Sequence, residues 1–137
     1  LLRALRVELP HRVVLVGGPW EVGLCERIRR NAVDTAVTLA GELSIRETAA
    51  VLRRSDAVVG ADSGIMHAAA AVGARVLCLF GPTSPERTAP HRASRVLTHR
   101  LSCSPCYPDR PRGCGDPKCV EEISVAQVLT SLRGFVE

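Results

Sequence analysis

Four short apolar runs, Arg12-Val13-Val14-Leu15-Val16, Ala36-Val37-Thr38-Leu39, Ala57-Val58-Val59-Gly60 and Arg75-Val76-Leu77-Cys78-Leu79-Phe80, alternate along this chain with segments of helical spacing. Runs of this length rich in Val and Leu fit strands, and parallel strands require a crossover, usually a helix, between them. The alternation predicts an α/β fold: a Rossmann-like parallel sheet with helices on both faces. The first run carries no polar residue after Arg12, which predicts a strand buried on both faces.

The helices are delimited by their ends. Residues 21–30 carry Leu24 and Ile28 on one face, an acid in the first turn and arginines near the end, as the macrodipole favours. Ser44-Ile45-Arg46-Glu47 has the spacing of a capping box and predicts a helix over 44–54. Asp62-Ser63-Gly64 turns the third strand into an Ala-rich helix ending near Gly73, and Ser124-Val125-Ala126-Gln127 opens a last helix running to about Phe135. The start, Leu1-Leu2-Arg3-Ala4-Leu5, has no initiator Met and reads as the tail of an amphipathic helix, so a piece of a longer protein is expected.

Composition narrows the function classes. With 137 residues, 46% of them hydrophobic, the chain can build one core. Aromatics are 3%, so the core is aliphatic and single-stranded nucleic-acid binding through stacked rings is nearly excluded. The formal charge of +4 comes from 18 basic and 14 acidic residues that are interspersed rather than clustered, and every basic residue but Lys118 is arginine. No apolar run approaches the roughly 20 residues of a membrane span, and no signal peptide is visible, which reads as a cytoplasmic chain. Cys25 and Cys78 fall in a helix and a strand and read as small core residues.

In open parallel sheets, ligands bind outside the carboxyl ends of the strands. Three loops here carry suitable chemistry. In Asp62-Ser63-Gly64-Ile65-Met66-His67, Gly64 allows a close backbone approach, Ser63 offers a hydroxyl, and the amides opening the helix attract anions, with His67 one turn in. A plain helix cap with a structural histidine is the competing reading. Gly17 and Gly18 do not form Gly-x-Gly-x-x-Gly, so nicotinamide dinucleotide binding has little support, whereas Glu21 could hold a ribose diol or simply occupy a first helical turn. Thr83 and Ser84 ahead of Pro85 fit either a cap or a pair of hydroxyls facing a diphosphate.

The order of these features, Gly17-Gly18-x-x-Glu21, Gly41-x-x-Ser44, Asp62-Ser63-Gly64-Ile65-Met66-His67-Ala68-Ala69-Ala70 and Phe80-Gly81-Pro82-Thr83, resembles the C-terminal domain of the heptosyltransferase family of GT-B glycosyltransferases. The resemblance implies that residues 1–137 are one nucleotide-sugar-binding domain, with 100–123 a Cys-rich loop and the N-terminal acceptor domain absent. It implies an ADP-heptose donor and transfer of heptose to the lipopolysaccharide inner core, with no organic cofactor. By position, Glu21 matches the residue near the ribose, Leu43 and Ser44 the adenine side, Asp62, Ser63, Gly64 and His67 the diphosphate and sugar, and Thr83 the same phosphates, with Gly17 and Gly18 also among the donor-binding residues. The acceptor site and catalytic base belong to the other domain, so no catalytic residue is assigned here. The whole enzyme is then expected at the inner face of the inner membrane as a peripheral protein.

Cys103, Cys106, Cys114 and Cys119 form a separate cluster, also similar to the tail of that family. Their spacing allows four thiolates to converge on a structural zinc, one or two disulfides, or unbound thiols, and zinc is the expectation taken. Two rival functions remain. One is a UDP-N-acetylglucosamine 2-epimerase, whose Asp-Ser-Gly element continues differently from Ile65-Met66-His67. The other is a non-catalytic zinc-binding interaction module.

Overall fold

The computed structural model describes residues 1–9, 11–32, 36–91, 94–107, 114 and 117–136. The chain divides into two compact units, Leu1–Val51 and Leu52–Glu137.

The first unit holds helix α1 (Leu2–Glu8), strand β1 (Val13–Leu15), a single 3-10 turn at Pro19–Glu21, helix α2 (Val22–Asn31) and strand β2 (Ala36–Thr38). Helix α3 (Ile45–Arg53) starts in this unit and ends in the next. β1 and β2 pair in parallel, with Val13 opposite Ala36 and Leu15 opposite Thr38. α2 packs on β2, and its buried Cys25 thiol hydrogen-bonds Thr38. The expectation that β1 is buried on both faces is corrected here. Val14 and its register partner Val37 are 42% and 59% exposed, because the described residues cover one side of this two-stranded ladder only. α3 begins as its spacing predicts: the Ser44 amide donates to Glu47 Oε2 at 2.8 Å, and the Glu47 amide donates to Ser44 Oγ at 3.4 Å.

The second unit is built on strands β3 (Val58–Ala61), β4 (Val76–Phe80) and β5 (Ser94–Thr98), parallel and in the order β3-β4-β5. β4, central in this ladder, is an almost unbroken apolar run, and Val76, Leu77, Cys78 and Phe80 are all at 0% exposure. Helix α4 (Gly64–Ala71) packs against β3 and β4 and buries Met66 and Ala69. The short helices α5 (Pro85–Thr88) and α6 (Lys118–Glu121) follow, then α7 (Val125–Val136), whose Val128, Leu129 and Leu132 are buried. Its cap matches the predicted box, with the Ser124 amide donating to Gln127 Oε1 at 2.8 Å and the Gln127 amide donating to Ser124 Oγ at 3.2 Å. The parallel strands therefore occur as a two-stranded and a three-stranded ladder, the latter containing β5, which the apolar pattern does not announce.

Arginine fastens the end of α7. From β5, Arg95 donates to the carbonyls of Ser131 at 2.8 Å and Gly134 at 2.9 Å, and its guanidinium lies 4.4 Å from the Phe135 ring centroid. Arg75 donates to the Phe135 carbonyl. Cations that satisfy the last carbonyls of a helix also complement its dipole, so part of the arginine excess is structural.

Burial sets an alkaline limit on stability. Cys78 is fully enclosed, and desolvation, reinforced by the Asp62 charge, pushes its thiol up to about 11 from an ordinary value near 9.0. A group whose folded pKa is raised releases its proton first in the unfolded chain, so stability is full below about pH 9 and falls as pH rises towards 11. Urea unfolding midpoints measured from pH 7 to 11 should decline above 9, by an amount of order 2 kcal/mol in free energy, and less steeply in Cys78→Ala. An equal decline in both proteins would remove Cys78 as the cause.

Candidate functional site

In the first unit, the carboxyl end of β1 runs into Gly17, Gly18 and the Pro19–Glu21 turn. The Glu21 carboxylate folds back over this turn, its Oε2 accepting the Gly18 amide at 2.8 Å, and a Cβ on Gly17 would stand 2.9 Å from the same oxygen. Gly41, just past β2, has φ +75° and donates its amide to the Gly17 carbonyl at 2.9 Å. A Cβ there would meet Val22 Cγ2 at 2.8 Å and Pro19 Cα at 3.3 Å, so only glycine lets these two loops close on each other. Leu43, half-buried, and Ser44, exposed and engaged in the α3 cap, come directly after. Gly17, Gly18, Glu21, Leu43 and Ser44 thus share the carboxyl ends of β1 and β2.

In the second unit, Asp62, Ser63 and Gly64 join β3 to α4. The simple capping reading is not what the geometry shows. Ser63 is at the N-cap position with extended backbone, but its hydroxyl caps no amide, and Asp62 is used elsewhere. Asp62 Oδ2 accepts the Thr88 hydroxyl at 2.8 Å, and Asp62 Oδ1 lies 3.9 Å from His67 Nε2. The carboxylate is 17% exposed and stands behind an imidazole that is 50% exposed. Above Gly64 there is open space: nothing lies within 4 Å of where a Cβ would point.

Thr83, half-buried, leads into α5, where Ser84 occupies the N-cap position and Pro85 the first turn. Ser84 Oγ donates to Glu86 Oε2 at 2.8 Å, and Arg100 donates to Glu86 Oε1 at 2.9 Å. These bonds, that of Ser84 first, hold the Glu86 carboxyl below the ordinary range. α5 is tied to the β3 loop through Thr88, so the segments carrying Thr83 and Asp62 are fixed to each other. An open cavity of about 620 Å³ lies beside them, lined among others by His67, Ala70, Arg87, Thr88 and His91. Thr83 does not line it. Thr88, Arg87 and His91 line this cavity, and the sequence patterns do not single them out.

The Cys-rich segment is corrected. Residues 108–113, 115 and 116 of it lie outside the described residues, and α6 occupies part of the span predicted as loop. Among the described residues no group of three or more His, Cys, Asp or Glu side chains is placed to hold a metal, so the zinc expectation for Cys103, Cys106, Cys114 and Cys119 is not supported. Cys119 is buried while Cys103 and Cys114 are exposed, and the described cysteines are thiols, not disulfides. Burial first, and then the charges of the nearby Cys106, Cys114 and Cys103, push the Cys119 thiol up. The segment is instead seated on the β4 turn. Amides of Cys106 and Tyr107 both donate to the Pro82 carbonyl at 2.9 Å, the Ser104 hydroxyl donates to the Gly81 carbonyl, and a Cβ on Gly81 would collide with Val120 at 2.3 Å.

Residues 2–118 match the family model of glycosyltransferase family 9 (heptosyltransferase). Curated relatives include lipooligosaccharide heptosyltransferase 2 of Haemophilus influenzae, 37% identical over 93 residues, which are 65% of this chain and 27% of the relative. Lipopolysaccharide heptosyltransferase 2 of Escherichia coli is 41% identical over 61 residues, 43% of this chain and 17% of the relative. The matched segments therefore span only 27% and 17% of these relatives' length. Among solved structures, E. coli ADP-heptose LPS heptosyltransferase II superposes with a TM-score of 0.79 at 24% identity, covering 98% of this chain and 39% of the other. The family 9 glycosyl transferase of Veillonella parvula gives 0.80 at 21%, again over 98% and 39%. These likenesses show the α/β fold, which forms part of a GT-B architecture. With the family model matched across most of its length, the chain belongs to glycosyltransferase family 9, the heptosyltransferase family.

Proposed function

We propose that this chain is the nucleotide-sugar-binding, C-terminal domain of a heptosyltransferase that takes ADP-heptose as donor and extends the lipopolysaccharide inner core. The observation that carries the reading is the Asp62, Thr88 and His67 group beside an open cavity at the carboxyl end of β3, next to unobstructed space over Gly64. Amides at the start of α4 and the His67 imidazole suit the negative charge that grows on the leaving diphosphate as the sugar C1–O bond breaks. Glu21, whose Oε2 is occupied by the Gly18 amide, keeps Oε1 for a ribose hydroxyl. The acceptor hydroxyl and the base that takes its proton belong to another part of the enzyme, acting in the cytoplasm at the inner face of the inner membrane. No helix among the described residues is long and apolar enough to cross a membrane.

Titration calorimetry of the 137-residue chain with ADP and with UDP tests the reading. ADP is expected to bind, and more tightly than UDP. Equal affinities would remove the adenine assignment, and binding by neither would remove the donor site.

A further inference from the structure

The chain has one tryptophan, and it is placed in solvent. Trp20 is 85% exposed in a protein that spends only 3% of its residues on aromatics. It contributes nothing to a core, so its position needs another explanation. Its environment is specific. The six-membered part of the indole lies against Gly18, where a Cβ would come within 2.6 Å of the ring. Gly18 is therefore a seat for the ring, and Gly41, pressed on Pro19 and bonded to the Gly17 carbonyl, fixes the loop that carries it. Ile45, 81% exposed, begins the helix after the neighbouring strand β2.

The carboxyl ends of β1 and β2 thus present a held aromatic ring, an exposed aliphatic residue and one carboxylate, Glu21. A carboxylate at that place opposes a phosphate and suits hydroxyl groups, while the ring offers a flat apolar surface on which a two-ring purine buries more area than a one-ring pyrimidine. We infer that Trp20 is a stacking platform for the purine base of the bound nucleotide and a determinant of its selectivity over pyrimidines. This rests on the donor reading above but names a contact which that reading does not contain. Because the indole is exposed, its replacement should leave the fold intact.

The sole tryptophan is also its own probe. In the 137-residue chain, adenosine and ADP should change the tryptophan emission saturably, and inorganic pyrophosphate should not. Trp20→Ala should weaken ADP binding about tenfold or more by calorimetry, with an unchanged circular dichroism spectrum, Trp20→Phe should keep most of the affinity, and the preference for ADP over UDP should shrink in Trp20→Ala. If ADP binds with no change in emission and with equal affinity in Trp20→Ala, the platform is refuted while the donor reading stands. If ADP does not bind the parent chain at all, both fall.

Discussion

Phe80→Ala should cost about 3–5 kcal/mol of folding stability, the largest loss expected from a single side-chain truncation in this protein. Phe80 is fully enclosed at the end of β4, in the middle of the β3-β4-β5 ladder, with Val76, Leu77 and Cys78 buried in the same strand. Truncation removes apolar surface from the interior and leaves a cavity that strands bonded on both sides cannot easily collapse to fill. A domain of ordinary stability has about 5–15 kcal/mol in total, so the variant should unfold at much lower denaturant or not accumulate at all. Phe80→Leu, which restores most of the volume, should recover the greater part. Chemical denaturation of the three proteins decides it. A loss under about 1 kcal/mol in Phe80→Ala would mean that β4 is not the centre of the core.

The second large effect is on binding. Asp62→Ala should weaken ADP at least about tenfold, since hydrogen bonds to charged groups are worth about 1.5–3 kcal/mol and this carboxylate stands behind two side chains at once. Without it, Thr88 keeps its contact to the Ser84 carbonyl at 3.1 Å, so α5 should stay folded, but His67 loses the charge that faces it at 3.9 Å. The loss should therefore appear in affinity and not in unfolding. Thr88→Ser keeps the hydroxyl and should bind as the parent does, whereas Thr88→Val should lose part of the affinity. Parental ADP affinity in Asp62→Ala would contradict the assignment of this loop to the donor.

The fold was legible where the local signal and the tertiary demand coincide. The apolar run of β4 is buried along its length, and the Ser44–Glu47 and Ser124–Gln127 spacings make the hydrogen bonds that they imply. β5 escaped because its residues are exposed or half-buried: among the described residues Ser94-Arg95-Val96-Leu97-Thr98 pairs as a strand only with β4, and it carries no apolar pattern. Its informative residue is Arg95, whose partners on α7 lie 36 and 39 positions away. α6, at four residues, is too short for a period to show. The same distance problem hid Thr88, 26 residues from Asp62 in sequence and 2.8 Å from it in space. Cysteine spacing said that four thiols could meet, and it carries no information on how deep each would lie. In the structure Cys119 is buried and Cys103 exposed, a difference that spacing cannot encode.

Mapping of backbone amide shifts by NMR as ADP is added tests the central claim most directly, because it reports where the nucleotide sits as well as whether it binds. Saturable shifts are expected at Gly17, Gly18, Glu21 and Leu43 in the first unit and at Ser63, Gly64, His67 and Thr83 in the second, with Cys103 and the α7 amides unmoved. Shifts confined to the Cys-rich segment, or scattered away from the carboxyl ends of β1 to β4, would contradict it.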